Sequence, residues 1–86
     1  MFLQDNPTMS EAYGKTWKKS FERDGVRVEF VIREVAGVFR AYVKMASGAK
    51  LDYSEHADFV NADRKLDSLK HAFDLGQMDK AIRLMN

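Results

Sequence analysis

Residue types able to do chemistry are sparse in this chain, and the densest group of them lies in its C-terminal half. Asp63, Asp67 and His71 recur at four-residue steps. On a helix that spacing stacks two carboxylates and an imidazole along one face. Such a ladder offers ligands to a divalent cation, but metal sites recruit from several elements to fill four or more positions. An ordinary Asp67–His71 pair on a solvated helix face is the plainer reading. His56 stands among Asp52, Glu55 and Asp58, and reads as a polar surface residue rather than a general base. Ser10, Ser20, Ser47, Ser54 and Ser68 occur in no nucleophile-elbow context, and cysteine is absent. The five glycines are scattered and build no phosphate-cradling loop. The expectation is a domain with no catalytic residues, no metal and no cofactor.

The chain that must position these residues has 86 of them, enough for one domain spanning 1–86. At that length a fold buries only about 60–65% of its unfolded surface, so the stability margin is thin. Hydrophobic residues at 45% and charged residues at 31% place it among ordinary globular domains. Without cysteine, neither disulfides nor thiolates can supplement the core. That points to a reducing compartment, with the cytoplasm as the expected location. Met1-Phe2-Leu3 is apolar, but Gln4 and Asp5 end the run far short of a signal segment or a membrane span. The net charge of +1 describes no dedicated nucleic-acid binder. Residues 1–50 carry nine Lys/Arg against six Asp/Glu, and residues 51–86 carry five against seven, a mild asymmetry.

Turn chemistry gives the architecture. Pro7 sits in a turn-like lead-in, after which Thr8 or Ser10 is a candidate cap for a short helical turn through Tyr13, closed by Gly14. Asp24-Gly25 is a preferred two-residue hairpin turn, flanked by the strand-like runs Thr16–Arg23 and Val26–Val35. Ala36-Gly37 leads in the same way to Val38–Ala46. Two-residue loops fix the registers. Arg23 then opposes Val26, Phe21 opposes Val28, Lys19 opposes Phe30 and Trp17 opposes Ile32. In the second hairpin Val35 opposes Val38, Arg33 opposes Arg40, Val31 opposes Tyr42 and Glu29 opposes Lys44.

Because side chains alternate along a strand, these registers gather one apolar face from Trp17, Phe21, Val26, Val28, Phe30, Ile32, Phe39, Ala41, Val43 and Met45. Lys19 is the blemish on it, and calls for either a bulge or a lysine snorkelling outward. After Ser47-Gly48, Lys50–Tyr53 is a candidate fourth strand. Phe59, Ala62, Leu66, Leu69 and Phe73 recur at helical steps up to a stop at Gly76. The helix start is open between a cap at Asn61 and one at Ser54 or Asp52 that begins it near Glu55. Met78, Ile82 and Met85 mark a short terminal helix made for packing or dimerisation. The fold class is therefore α+β: a three-stranded antiparallel meander, four-stranded if Lys50–Tyr53 joins it. One amphipathic helix packs on the sheet, and a short C-terminal helix follows.

The outer sheet face carries the functional expectation. It presents Val31 beside Tyr42, Arg33 beside Arg40 and Val35 beside Val38, with Lys18, Arg27 and Lys44 around them and Glu22 and Glu29 offsetting the charge. A face simply exposed to water is richer in Thr, Ser, Glu and Lys. Tyr and Arg are residue types favoured at binding hot spots, whereas β-propensity alone also places valines on outer faces. Val31, Arg33, Val35, Val38, Arg40 and Tyr42 are the candidate partner-binding residues. The first reading is a non-enzymatic protein-binding module. Its build is that of phage and mobile-element accessory proteins, including inhibitors of host defence complexes such as anti-CRISPR proteins. A homodimer through open strand edges is a further expectation.

The second reading is a nucleic-acid binder. In element order, residues 14–74 resemble the DNA-binding domains of certain plant transcription factors and the arm-binding domains of tyrosine recombinases. That resemblance implies a sheet face in the major groove, with Lys18, Arg27, Arg33, Arg40 and Lys44 on phosphates and bases. Near-neutral charge and the outer-face valines weigh against it. The fold itself is testable at its first turn. Asp24→Ala combined with Gly25→Val lowers the melting midpoint substantially, because both replacements resist the positive φ that the turn needs. An unchanged midpoint in circular-dichroism melting would misplace the first hairpin.

Overall fold

The computed structural model of the protein describes residues 8–10 and 14–85. The turn-like lead-in around Pro7 lies outside the described residues. Four long antiparallel strands form the sheet: β2 (Gly14–Arg23), β3 (Val26–Val35), β4 (Val38–Met45) and β5 (Lys50–His56). A three-residue strand, β1 (Thr8–Ser10), pairs on the outside of β2. Strand order follows chain order, a plain meander. Helices α1 (Phe59–Asp74) and α2 (Asp79–Met85) complete an α+β fold. No described helix is long and apolar enough to cross a membrane.

Both hairpins adopt the expected registers throughout. Asp24 and Gly25 have φ of 51° and 79°, and Ala36 and Gly37 have 52° and 80°. Both central residues of each loop are left-handed, the turn whose twist matches the flanking strands. The inner face predicted from alternation is the core: Phe30, Ile32, Ala41 and Val43 are fully buried, with Val28 and Met45 beside them. Phe21 and Phe73 both meet Phe30 edge-on, at 5.4 and 5.9 Å between ring centroids. At the other end Trp17 packs 4.8 Å from Phe59 and 6.2 Å from Phe39. Lys19 is exposed, and the β2–β3 pairing runs without a register shift. Of the two expected accommodations, a bulge is thereby ruled out.

Three local expectations change. Thr8–Ser10 is a strand rather than the start of a helical turn, because pairing with Gly14–Thr16 satisfies its backbone within a hairpin. The Tyr13 end of that expected turn lies outside the described residues. The fourth strand exists and continues to His56, three residues beyond Tyr53. Helix α1 is capped by Asp58, whose carboxylate accepts from the Asn61 backbone N–H at 2.8 Å. Asn61 returns a side-chain hydrogen bond to Asp58 at 3.1 Å, so it works inside the first turn instead of ahead of it. Ser54 and Glu55 belong to β5. At the far end Gly76 (φ 75°) closes a Schellman motif, its N–H donating to Phe73 O and that of Gln77 to Ala72 O.

Helix α2 packs on the inner face together with α1: Ile82 and Met78 are buried in the same core, and Met85 packs against it. Two ties hold the helical ends. The Arg23 guanidinium donates from Nη1 to Asp74 O at 3.0 Å, and its Nε lies 3.4 Å from Asp79 Oδ1. Ser47 Oγ donates to Met85 O at 2.7 Å, supplying one of the donors that the last turn of a helix lacks.

One strained position yields a prediction. Ala36 pays the left-handed cost that Asn or Gly would largely avoid. Ala36→Asn raises stability by about 0.5–1 kcal/mol. Urea denaturation would show a higher midpoint with an unchanged slope.

Candidate interaction surface

The outer face of the sheet is built by the residues that alternate with the core. Lys18, Val31 and Tyr42 form one cross-strand row, and Thr16, Arg33, Arg40 and Glu55 form the next. The structure thus brings together the sequence-predicted residues, but not all at the same depth. Val31 and Tyr42 are only 4% and 6% exposed. Val35, Val38, Arg33 and Arg40 are half-buried, while Lys18, Arg27 and Lys44 are exposed. The valine–tyrosine centre of this face is therefore closed to solvent. Its two central members are buried although helix α2 packs on the opposite face.

Strand β5 supplies the cover over Tyr42. Ala41 pairs with Ser54 and Val43 with Leu51, so Asp52 and Tyr53 together oppose the single residue Tyr42. This is a β-bulge, with Asp52 at φ 55° in the left-handed position that Asp tolerates better than most residues. The extra residue puts the Tyr53 ring on the outer face, stacked on Tyr42 at 6.0 Å with 21° between planes. Lys50 Nζ sits 4.9 Å from the Tyr42 ring centre and 5.8 Å from that of Tyr53, a cation–π arrangement over both. Beside it Tyr53 donates its hydroxyl to Glu55 Oε2 at 3.1 Å, and Arg40 Nε lies 3.3 Å from the same oxygen. Tyr53 is 45% exposed.

The expected Arg33–Arg40 opposition is real, and Glu55 directly across from Arg40 offsets it. Lys18 faces Glu29 at 4.0 Å. Arg27 and Lys44 flank a shallow depression of about 290 Å³ with Ser20, Glu29 and Met45. Cations and carboxylates therefore interleave across the whole face. Tyr53, Glu55 and Lys50 had gone unnoticed as surface residues. The sequence carried no register signal for Glu55: regular pairing onward from Lys44–Lys50 sets Ser54 opposite Arg40, and only the bulge brings Glu55 there.

The histidines assemble nothing comparable. Asp63 is 3% exposed and withdrawn from the solvated ladder on which Asp67 and His71 remain exposed. His56 is half-buried, with its Nε2 2.8 Å from Ser54 Oγ. Among the described residues, no three His, Asp or Glu side chains come together in a way that could hold a metal ion.

No protein-family profile, curated protein or solved structure matches this chain.

The tyrosine–glutamate contact has a measurable consequence. Tyr53 has its pKa raised above the usual tyrosine value, first by desolvation against the sheet and then by its hydrogen bond to Glu55. Both causes favour the neutral phenol. In a spectrophotometric titration, Glu55→Ala moves one tyrosine transition to lower pH. Superimposable curves would remove the contact from the solution structure.

Proposed function

We propose that this domain is a non-enzymatic protein-binding module that works through the outer face of its sheet. The observation that carries the reading is the Tyr42–Tyr53 stack under Lys50, bordered by the Arg40–Glu55 pair. A supported, half-exposed tyrosine beside an arginine is the composition of a binding hot spot. Stacking fixes the ring before any partner arrives, which lowers the ordering cost of association. The partner meets Tyr53, Arg40, Arg33, Val35 and Val38, while Tyr42 supports the Tyr53 ring from beneath.

The interleaved carboxylates favour a protein over nucleic acid. Glu29 and Glu55 lie within reach of Lys18 and Arg40. A phosphate backbone approaching those cations would meet both carboxylates as well, whereas phosphate binding draws on concentrated positive charge. A protein surface of mixed charge suffers no such penalty. By its size and simple build the domain fits the accessory or inhibitor proteins made by phages and mobile elements, including inhibitors of host defence complexes, acting in the cytoplasm.

Substitution separates the two partner classes. If the partner is a protein, Tyr53→Ala and Arg40→Ala each weaken capture by tenfold or more, on the order of hot-spot truncations. Lys18→Ala changes it little, as rim charges do. The measurement is quantitative capture from the native host by immobilised wild-type and variant domains, alongside gel shifts with duplex and single-stranded DNA at physiological salt. Sub-micromolar DNA affinity, weakened alike by Lys18→Ala, Arg27→Ala and Lys44→Ala, would overturn the reading.

A further inference from the structure

Among the described residues strand β5 ends the strand order, and it presents to them a row of unpaired backbone groups on the side away from β4. Which residues carry that row follows from the hairpin. Met45 donates its N–H to Ala49 O, so those two residues face each other. Backbone direction alternates along an antiparallel strand, and Lys50 therefore points its N–H and C=O outward. Ser54 and His56 oppose Ala41 and Phe39, which point toward β5 as Met45 does. Glu55, lying between Ser54 and His56, points outward like Lys50.

The bulge gives this edge an unusual property. Lys50 and Glu55 are on the outer face, Leu51 and Ser54 on the inner face, and Asp52 and Tyr53 together oppose outer-face Tyr42. Read from either end, the order is outer, inner, two bulge residues, inner, outer. A regular strand of six residues lacks this symmetry, because reversal exchanges its faces. With the bulge, a second β5 can lie antiparallel with Lys50, Leu51, Ser54 and Glu55 each opposite a residue of its own face. Lys50 then opposes Glu55 of the other copy at both ends, a complementary charge pair each time, and the residues with outward backbone groups are the ones that meet. Tyr53 stands at this edge, 45% exposed, where a neighbouring strand would cover it.

We propose that β5 pairs with β5 of a second copy of this chain across a two-fold axis, in the register that sets Lys50 opposite Glu55. The two meanders then form one continuous sheet with both outer faces on the same side. The bulge that ordinarily protects an edge here selects a single partner strand, since an unbulged strand would slip out of face-matching register halfway along.

Sedimentation equilibrium of the full chain up to millimolar concentration tests the pairing. The wild type is expected to dimerise. Lys50→Glu and Glu55→Lys alone each convert two attractive cross-strand pairs into repulsive ones, and so lower the association constant about tenfold. The two substitutions together recover most of the loss. Far-UV circular dichroism checks that each variant is folded. Hydrogen exchange on the wild type supplies a reading independent of any variant: the Lys50 and Glu55 amides gain protection as concentration rises. A wild type that stays monomeric, a dimer indifferent to both single substitutions, a double variant no better than the singles, or unchanged amide protection would each overturn the proposal.

Discussion

The structure depends on the alternation of side chains along a strand, locked in phase by two turns that allow no slippage. Each loop has two residues, both left-handed, and such a loop sets the pairing of every residue that follows it. A shift by one residue would exchange Phe30 and Ile32 for Glu29 and Val31 on the core side, replacing one fully buried aromatic with a carboxylate. Because the meander is held in that single phase, its inner face stays continuous from Trp17 to Met45, and the two helices cover it together. Leu66, Phe73 and Ile82 complete a core that no single element could close.

Attachment of the helices is the second consequence. The hairpin tip at Asp24-Gly25 lies near the α1–α2 junction, where Arg23 reaches Asp74 O and Asp79. Gly76 makes the approach feasible, since a Cβ there would stand 2.8 Å from Arg23 Nη2. At the opposite end of α2, Ser47 in the β4–β5 turn holds the last carbonyl of the helix. A seven-residue helix is too short to persist alone. It is ordered because its two ends are fastened to two different turns of the sheet and its middle is buried.

The outer face shows how a one-layer sheet protects apolar side chains without a second helix. Val31 and Tyr42 are nearly inaccessible, although the helices lie on the other side. The Tyr53 ring and the Lys50 ammonium stack over Tyr42, and Lys18 neighbours Val31 in register. Aromatic rings and long aliphatic stems shield apolar surface while keeping their polar ends in water. In the proposed reading Tyr53 has two parts, covering Tyr42 and meeting the partner.

Local chemistry in the sequence determined the two hairpins, their registers, the core face, the amphipathic stripe of α1 and the stop at Gly76. Turn residues and period-two patterning act over a few neighbours and leave a readable trace. Three things were settled only in three dimensions. The reach of β5 was hidden because a bulge breaks alternation, so Asp52-Tyr53-Ser54 reads as the end of a strand rather than its middle. Asp58 was passed over as the α1 cap because Asn61, Ser54 and Asp52 have equally good capping side chains. The choice among them follows from where β5 lets go of β4. The depth of the outer face was also undetermined, since Val31 and Tyr42 carry no mark of burial in their own segment. What shelters them includes residues from other strands, brought alongside only by the pairing of the sheet.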